Sequence, residues 1–188
     1  MCEEDLIERA RRALAHYQAR RLEDELMAPA AVMVLLYEKD GQPHVLFTER
    51  SHEVQHHKGE ISFPGGGAAE GDADLVATAL RETYEEIGVP PQDVEIIGQL
   101  DDLITISDFR VTPYVGVLKA RSHEPFLPHE REVAAVIEVP LRDLLDALEL
   151  ELRDWRGQPL LVPAYTYGEH RIWGATARIL KELLDLIS

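Results

Sequence analysis

Two short aliphatic runs, residues 31–37 and 45–48, are separated by Lys39-Asp40-Gly41-Gln42-Pro43, and no other stretch constrains the fold as tightly. Asp-Gly between apolar runs is a hairpin signal: the tightest hairpin turns need positive φ at their central residues, which Gly adopts freely and Asp tolerates. The two runs are therefore expected to pair as antiparallel strands. Further strand candidates lie at 94–100, 111–118 and 133–139, and residues 150–155 and 160–167, joined at Arg156-Gly157-Gln158, read as a second hairpin.

Helical periodicity marks the segments between. Over 3–22, Leu6, Ile7, Ala10, Ala13, Leu14 and Tyr17 recur at helical spacing among Glu and Arg. A second helix is expected over 73–88, started near Asp72 or Asp74 and stopped at Gly88 before Pro90-Pro91. A short one is expected over 141–148, and a closing one over 173–187 with Ile179, Leu180, Leu183, Leu184 and Ile187 inward. Residues 50–71, with Phe63-Pro64-Gly65-Gly66-Gly67 at their end, read as a loop whose glycines let the backbone approach a ligand. Strands and helices mix without strict alternation, which favours an α+β or layered α/β/α domain over a doubly wound parallel sheet. With no repeat or dividing linker, one domain is expected over 1–188, its N-terminal helix within 1–25 and its C-terminal helix within 172–188.

The composition, 45% hydrophobic and 29% charged over 188 residues, is that of a soluble globular protein able to bury a core without staples. Cys2 is the one cysteine and forms no internal disulfide. The N-terminus lacks the basic and apolar regions of a secretory leader, and the longest aliphatic run, 30–37, is too short for a bilayer. A cytoplasmic protein without membrane partner is expected. A formal net charge of −16 repels polyanions and argues against a nucleic-acid partner, while a small phosphate ester would need local cations or a carboxylate-held metal. A homodimer is the default expectation from the frequency of such assemblies.

On a helix of about 100° per residue, Val76, Leu80, Tyr84 and Ile87 are expected on the core side of 73–88, and Glu82, Glu85 and Glu86 together on the opposite side. Carboxylates this close repel one another. An acidic helix face is ordinarily just solvated. Here it follows a Gly-rich loop and has Arg81 beside it, and hard oxygen ligands at this spacing suit Mg²⁺ or Mn²⁺, which bind substrate phosphates alongside one or two carboxylates. A metal-assisted phosphate site is the second reading of the same residues. His52, His56 and His57 suggest a histidine metal site less well than a polar loop, because no further ligand has fitting spacing. Trp155 and Trp173 read as core or interface, and Asp101-Asp102 as a site border or a strand-end turn.

Arg81-Glu82-Thr83-Tyr84-Glu85-Glu86-Ile87-Gly88-Val89 resembles the second half of the Nudix box, R-E-U-x-E-E-x-G-U with U aliphatic, and departs from it only at Thr83. In the first half, Gly66-x5-Asp72 keeps an acid but carries Asp for Glu, with one residue more than usual before Arg81. Upstream, Leu46-Phe47-Thr48-Glu49-Arg50-Ser51 and His57-Lys58-Gly59-Glu60-Ile61-Ser62-Phe63-Pro64-Gly65-Gly66 resemble the signature that precedes the box in coenzyme A pyrophosphatases, with Gln55 where that signature has Arg. Leu100-Asp101-Asp102, Phe109-Arg110-Val111-Thr112-Pro113 and 172–178 are also similar to that subfamily.

The resemblance implies a Nudix α/β/α sandwich with a mixed sheet between helices. It implies Mg²⁺- or Mn²⁺-dependent hydrolysis of coenzyme A, and of its thioesters, to 3′,5′-ADP and 4′-phosphopantetheine. Glu82 and Glu86 would be the metal ligands. Glu85 would be a third ligand or the base for the attacking water, and Arg81 would orient the carboxylates. Gly65, Gly66, Arg50 and Lys58 are the implied substrate contacts. The alternative substrates within the family are ADP-ribose, dinucleotides and other nucleoside diphosphate derivatives. An isoprenoid diphosphate isomerase on the same fold would need a catalytic cysteine that Cys2 does not supply, and a non-catalytic nucleotide sensor would be expected to have lost box carboxylates.

Overall fold

The expected hairpin forms in the structure, a computed structural model that describes residues 5–23, 26–51, 59–119, 125–155 and 157–188. Strands β1 (Ala28–Lys39) and β2 (Gln42–Arg50) pair antiparallel with Leu36 opposite Val45 and Lys39 opposite Gln42, and Asp40 (φ 52°) and Gly41 (φ 73°) close the turn. Beyond Leu36 the two strands part. Into the gap fit β3 (Ile61–Ser62), which pairs with β2, and β4 (Gly65–Gly67), which pairs with β1 through Val32 opposite Gly65 and Ala30 opposite Gly67. Part of the segment expected as an open loop is thus a wedge between two strands. Glycine carries no strand propensity of its own, so this pairing is imposed by the neighbouring β1 and leaves no local signature.

After the wedge come α2 (Leu75–Ile87), β5 (Val94–Gln99), β6 (Leu103–Ile104), β7 (Phe109–Leu118), β8 (Val133–Pro140) and α3 (Leu141–Leu145). β7 runs parallel to β1 and antiparallel to β5 and β6, while β8 is antiparallel to β2, so the eight-stranded sheet is mixed. The aliphatic run of β1 is buried on both faces. Val34 and Leu36 pack with Phe47, Val115 and residues of α1 (Leu6–His16) and α4 (Gly174–Ile187); Ala31, Met33, Leu35 and Tyr37 pack with Leu46, Ala79 and Ile87 beneath α2. Helices on both faces of a mixed sheet give the expected α/β/α layering, and this double coverage is why β1 reads as an unbroken apolar run. A second sheet, in the order β11 (His170–Ile172), β10 (Gln158–Tyr167), β9 (Leu148–Trp155), contains the second expected hairpin.

Two helices are shorter than their periodicity suggests. α1 ends at His16 because Tyr17 turns extended and its hydroxyl donates to Asp101 and Glu182, while the Arg20 and Leu22 amides donate to the carboxylates of Asp101 and Asp102. Side-chain acceptors in the β5–β6 connection and on α4 replace helical carbonyls there. α3 ends at Leu145, and Leu148 already belongs to β9. β6, β11 and a 3₁₀ turn at Pro91–Asp93 are too short to show a period in sequence. Among the described residues no helix is long and apolar enough to cross a membrane.

Candidate active site

Helix α2 is fixed at both ends by the residues expected to fix it. The Asp74 side chain accepts from the Ala77 amide at 2.8 Å, and Gly88, at φ 74°, turns the chain out of the helix. Its buried face differs from the one the periodicity gives. Ala79, Thr83, Glu86 and Ile87 face inward, whereas Tyr84, expected in the core, is 55% exposed, and Glu86, expected on the solvent side, is only 5% exposed. The shift has a steric cause: a sheet directly beneath α2 accepts small residues such as Ala79 and Thr83 more readily than the bulk of Tyr84. Thr83, the one departure from the late Nudix pattern, donates its hydroxyl to the Ala79 carbonyl at 2.7 Å and so enters the core without an unpaired polar group.

Arg81 organises the outer half of the site. Its Nε and Nη2 bind the Asp72 carboxylate at 3.0 and 3.1 Å, Nη1 binds Glu82 Oε1 at 2.7 Å and Glu85 Oε2 at 3.0 Å, and Nη2 also reaches the Gly67 carbonyl at 3.1 Å. Asp72 receives in addition the Thr78 hydroxyl and the Ala69 amide. With Arg81 foremost among these donors, its carboxyl is held well below the usual carboxylate range. Asp72 therefore serves as the partner that aims Arg81, despite being one methylene shorter than the usual acid and offset by one residue.

The inner half is built differently. Burial is the main reason that the Glu82 carboxyl titrates above its ordinary value, with Arg81 opposing it. Burial also pushes Glu86 up to about 8; the charges of Glu82 and Glu132 add to this, and Arg50 and the Gly65 backbone oppose it. Glu86 Oε2 and Arg50 Nε are buried without hydrogen-bond partners among the described residues. A buried carboxylate oxygen left bare costs free energy unless a further group meets it. Glu82 and Glu86 offer hard oxygen donors fitted to a divalent cation. Among the described residues, however, no three acidic, histidine or cysteine side chains stand gathered as a finished metal cage. Arg81 occupies one oxygen of Glu82 and one of Glu85.

Gly65 and Gly66 are required for close approach, though not first of all to a ligand. A Cβ on Gly65 would lie 2.4 Å from the Ala31 carbonyl oxygen, and one on Gly66 would lie 2.6 Å from the Glu82 carboxyl carbon. The glycine strand thus lies against β1 and passes close to the Glu82 carboxylate. Arg50, at the end of β2, sends its charge toward Glu86. Lys58, Gln55, His52, His56, His57 and Cys2 lie outside the described residues.

One participant has no sequence signal. The His129 amide donates to the Glu86 carbonyl, the Leu127 amide to the Ile87 carbonyl, and the Ser51 amide to the Glu132 carbonyl. These bonds bring Glu132 beside Glu82 and Glu86, and Tyr84, Glu85, Gly88, Leu127, His129 and Glu132 line an open groove of about 460 Å³. In sequence Glu132 is one acid in a charged turn, distant from α2. Asp101 and Asp102, by contrast, are structural: Asp102 is buried and accepts from Thr112 and Leu22, and Asp101 anchors Tyr17 and Arg20. Trp173 is partly exposed beneath the Arg153 guanidinium, 5.6 Å from the ring centre.

Comparison with known proteins agrees with this arrangement. The family described as NUDIX domain matches residues 27–161. The chain is 40% identical over 156 residues to a protein of Enterobacter sp. (strain 638) named "Uncharacterized Nudix hydrolase NudL", covering 82% of this chain and 80% of that one, and 38% identical over the same length to its namesake in Citrobacter koseri. Among solved structures, a NUDIX hydrolase from Alicyclobacillus acidocaldarius superposes with a TM-score of 0.52 at 20% identity, covering 85% of this chain and 91% of the other, and shares the fold. An acid-clamped arginine, buried glutamates on the helix that follows a glycine strand, and a family match over most of the chain have one common explanation: the chain belongs to the Nudix hydrolase family.

Proposed function

We propose that this Nudix hydrolase is a Mg²⁺- or Mn²⁺-dependent pyrophosphatase of the cytoplasm, acting as one domain over 1–188, that hydrolyses coenzyme A and its thioesters to 3′,5′-ADP and 4′-phosphopantetheine. The observation that carries the catalytic reading is the bare, buried Oε2 of Glu86 beside Glu82. The substrate reading rests on the stretch from Leu46 to Gly66, which resembles the coenzyme A pyrophosphatase signature and contributes Arg50, Gly65 and Gly66 to the neighbourhood of those glutamates.

Glu82 and Glu86 would hold the metal. When bound, it screens the diphosphate charge and lowers the pKa of water. The chain's own groups do the rest. Water adds to one phosphorus, the bridging P–O bond breaks, and the proton of the water passes to a carboxylate. Glu85, more exposed than its neighbours and held by Arg81 at one oxygen, is either that acceptor or a third metal ligand. Arg81, aimed by Asp72, keeps Glu82 and Glu85 in place, and Arg50 and Lys58 offer positive charge to the phosphates.

The test is product analysis with Mg²⁺ or Mn²⁺ against coenzyme A, acetyl-coenzyme A, ADP-ribose, NADH and diadenosine polyphosphates, comparing kcat/KM. Preference for coenzyme A with release of 3′,5′-ADP is expected. Preference for ADP-ribose or a dinucleotide would leave the Nudix chemistry standing and overturn the substrate.

A further inference from the structure

Tyr84 stands on α2 beside Glu85, and it is turned away from the sheet and 55% exposed. It forms one wall of the open groove of about 460 Å³ that Glu85, Gly88, Leu127, His129 and Glu132 complete. The opposite wall is the segment that leads into β8. Phe126 anchors that segment edge-on against Tyr37, with ring centres 5.5 Å apart, and the Leu127 and His129 amides tie it to the Ile87 and Glu86 carbonyls at 3.0 and 2.9 Å. Leu127 sits over Gly88, where an added Cβ would lie 3.0 Å from the leucine Cβ, and is itself 69% exposed. A single exposed apolar side chain is ordinary. Here a tyrosine and a leucine line one concavity whose walls are fixed by backbone hydrogen bonds and which adjoins the glutamates of the site. Concave walls of this composition with a few polar groups are characteristic of small-molecule sites, and the volume lies in their range.

Taking coenzyme A as the substrate, on which this assignment rests, we infer that the groove receives its pantetheine arm, with Tyr84 and Leu127 as the residues that select for it. Charge decides between the two halves of the substrate. Beyond the diphosphate, the nucleotide half carries a further phosphate at the 3′ position, whereas the pantetheine half carries amides, a hydroxyl, methyl groups and a thiol without charge. The groove holds the acids Glu85 and Glu132, and no described Lys or Arg lines it. It therefore repels the 3′-phosphate and tolerates the neutral arm. Adenine would also stack on Tyr84, but only by carrying the ribose and its phosphate toward the same acids. The methylenes and methyl groups of the arm suit the Tyr84 ring and Leu127, and its amides suit the Tyr84 hydroxyl and the His129 ring.

Titration calorimetry of the full chain in Mg²⁺, with 4′-phosphopantetheine and 3′,5′-ADP as separate probes, tests this independently of turnover. Tyr84→Ala and Leu127→Glu should each weaken binding of 4′-phosphopantetheine about tenfold and leave that of 3′,5′-ADP as it was. Both side chains are exposed, so circular dichroism should not change. The KM for coenzyme A should rise in step with the weaker binding. A loss of 3′,5′-ADP binding equal to or greater than that of 4′-phosphopantetheine would overturn the inference and place the nucleotide in the groove. Product binding indifferent to both substitutions, or a wild type that does not bind 4′-phosphopantetheine, would overturn it as well. A wild type that binds 4′-phosphopantetheine through Tyr84 and Leu127 but hydrolyses ADP-ribose in preference would leave the groove standing and overturn the substrate reading alone.

Discussion

The two ends of the carboxylate cluster on α2 are built on opposite principles. Around Arg81 nearly every polar atom is satisfied: Asp72 receives Arg81, Thr78 and Ala69, and the guanidinium reaches two glutamates and a carbonyl. One turn further on, Glu86 is buried with one oxygen bare and with negative neighbours. The satisfied half behaves as scaffold, and the unsatisfied half is where a ligand has something to gain. The contrast can be broken or sharpened by substitution.

The largest effect is expected at the bare half. Glu86→Gln should lower kcat by several orders of magnitude in Mg²⁺ while the melting temperature near neutral pH without metal holds or rises, because the carboxyl, pushed up to about 8, is mostly uncharged there and the amide keeps its shape. Near-normal activity would end the assignment of Glu86 as a metal ligand.

Next come changes that leave the charges in place and move them. Arg81→Lys retains the cation but loses the fork that joins Asp72 to Glu82 and Glu85, and should cost about a hundredfold in kcat/KM. Gly66→Ala sets a methyl group against the Glu82 carboxylate, whose flexible end can swing away; the fold should survive while kcat falls by about tenfold to a hundredfold. If circular dichroism instead shows Gly66→Ala unfolding, the glycine serves the sheet and not the carboxylate.

The smallest effect is on stability. Glu86 is raised from 4.5 to about 8 in the folded chain, so its contribution to stability without metal is fully present below about pH 4.5 and is lost as pH rises through about 8. Melting temperatures in chelator between about pH 5 and 9 should fall toward the alkaline end, and Glu86→Gln should flatten that fall. Added Mg²⁺ should stabilise the wild type most at the alkaline end, where proton competition is weakest.

Much of this molecule could be read from its residues. The hairpin at Asp40-Gly41, the α/β/α layers and the carboxylate helix follow from local pattern. The burial of Glu86 does not, because helical periodicity ranks side chains by bulk and polarity and therefore sends Tyr84 inward; only the sheet below α2 reveals that Ala79 and Thr83 fit there and the tyrosine does not. β4 is hidden for a related reason: three glycines show no strand preference until β1 supplies one. Glu132 is hidden most deeply, since backbone bonds to the last carbonyls of α2 bring it to the site.

Those carbonyl bonds also set an order of events during synthesis. A ribosome that has released α2 has released the box, Asp72 and the Arg81 clamp, but neither the amides of Leu127 and His129 nor Glu132, and β8, which flanks β2, is still to come. The segment most diagnostic of the family emerges well before the groove it lines can close, so a chain cut short between the two carries the motif without the enzyme.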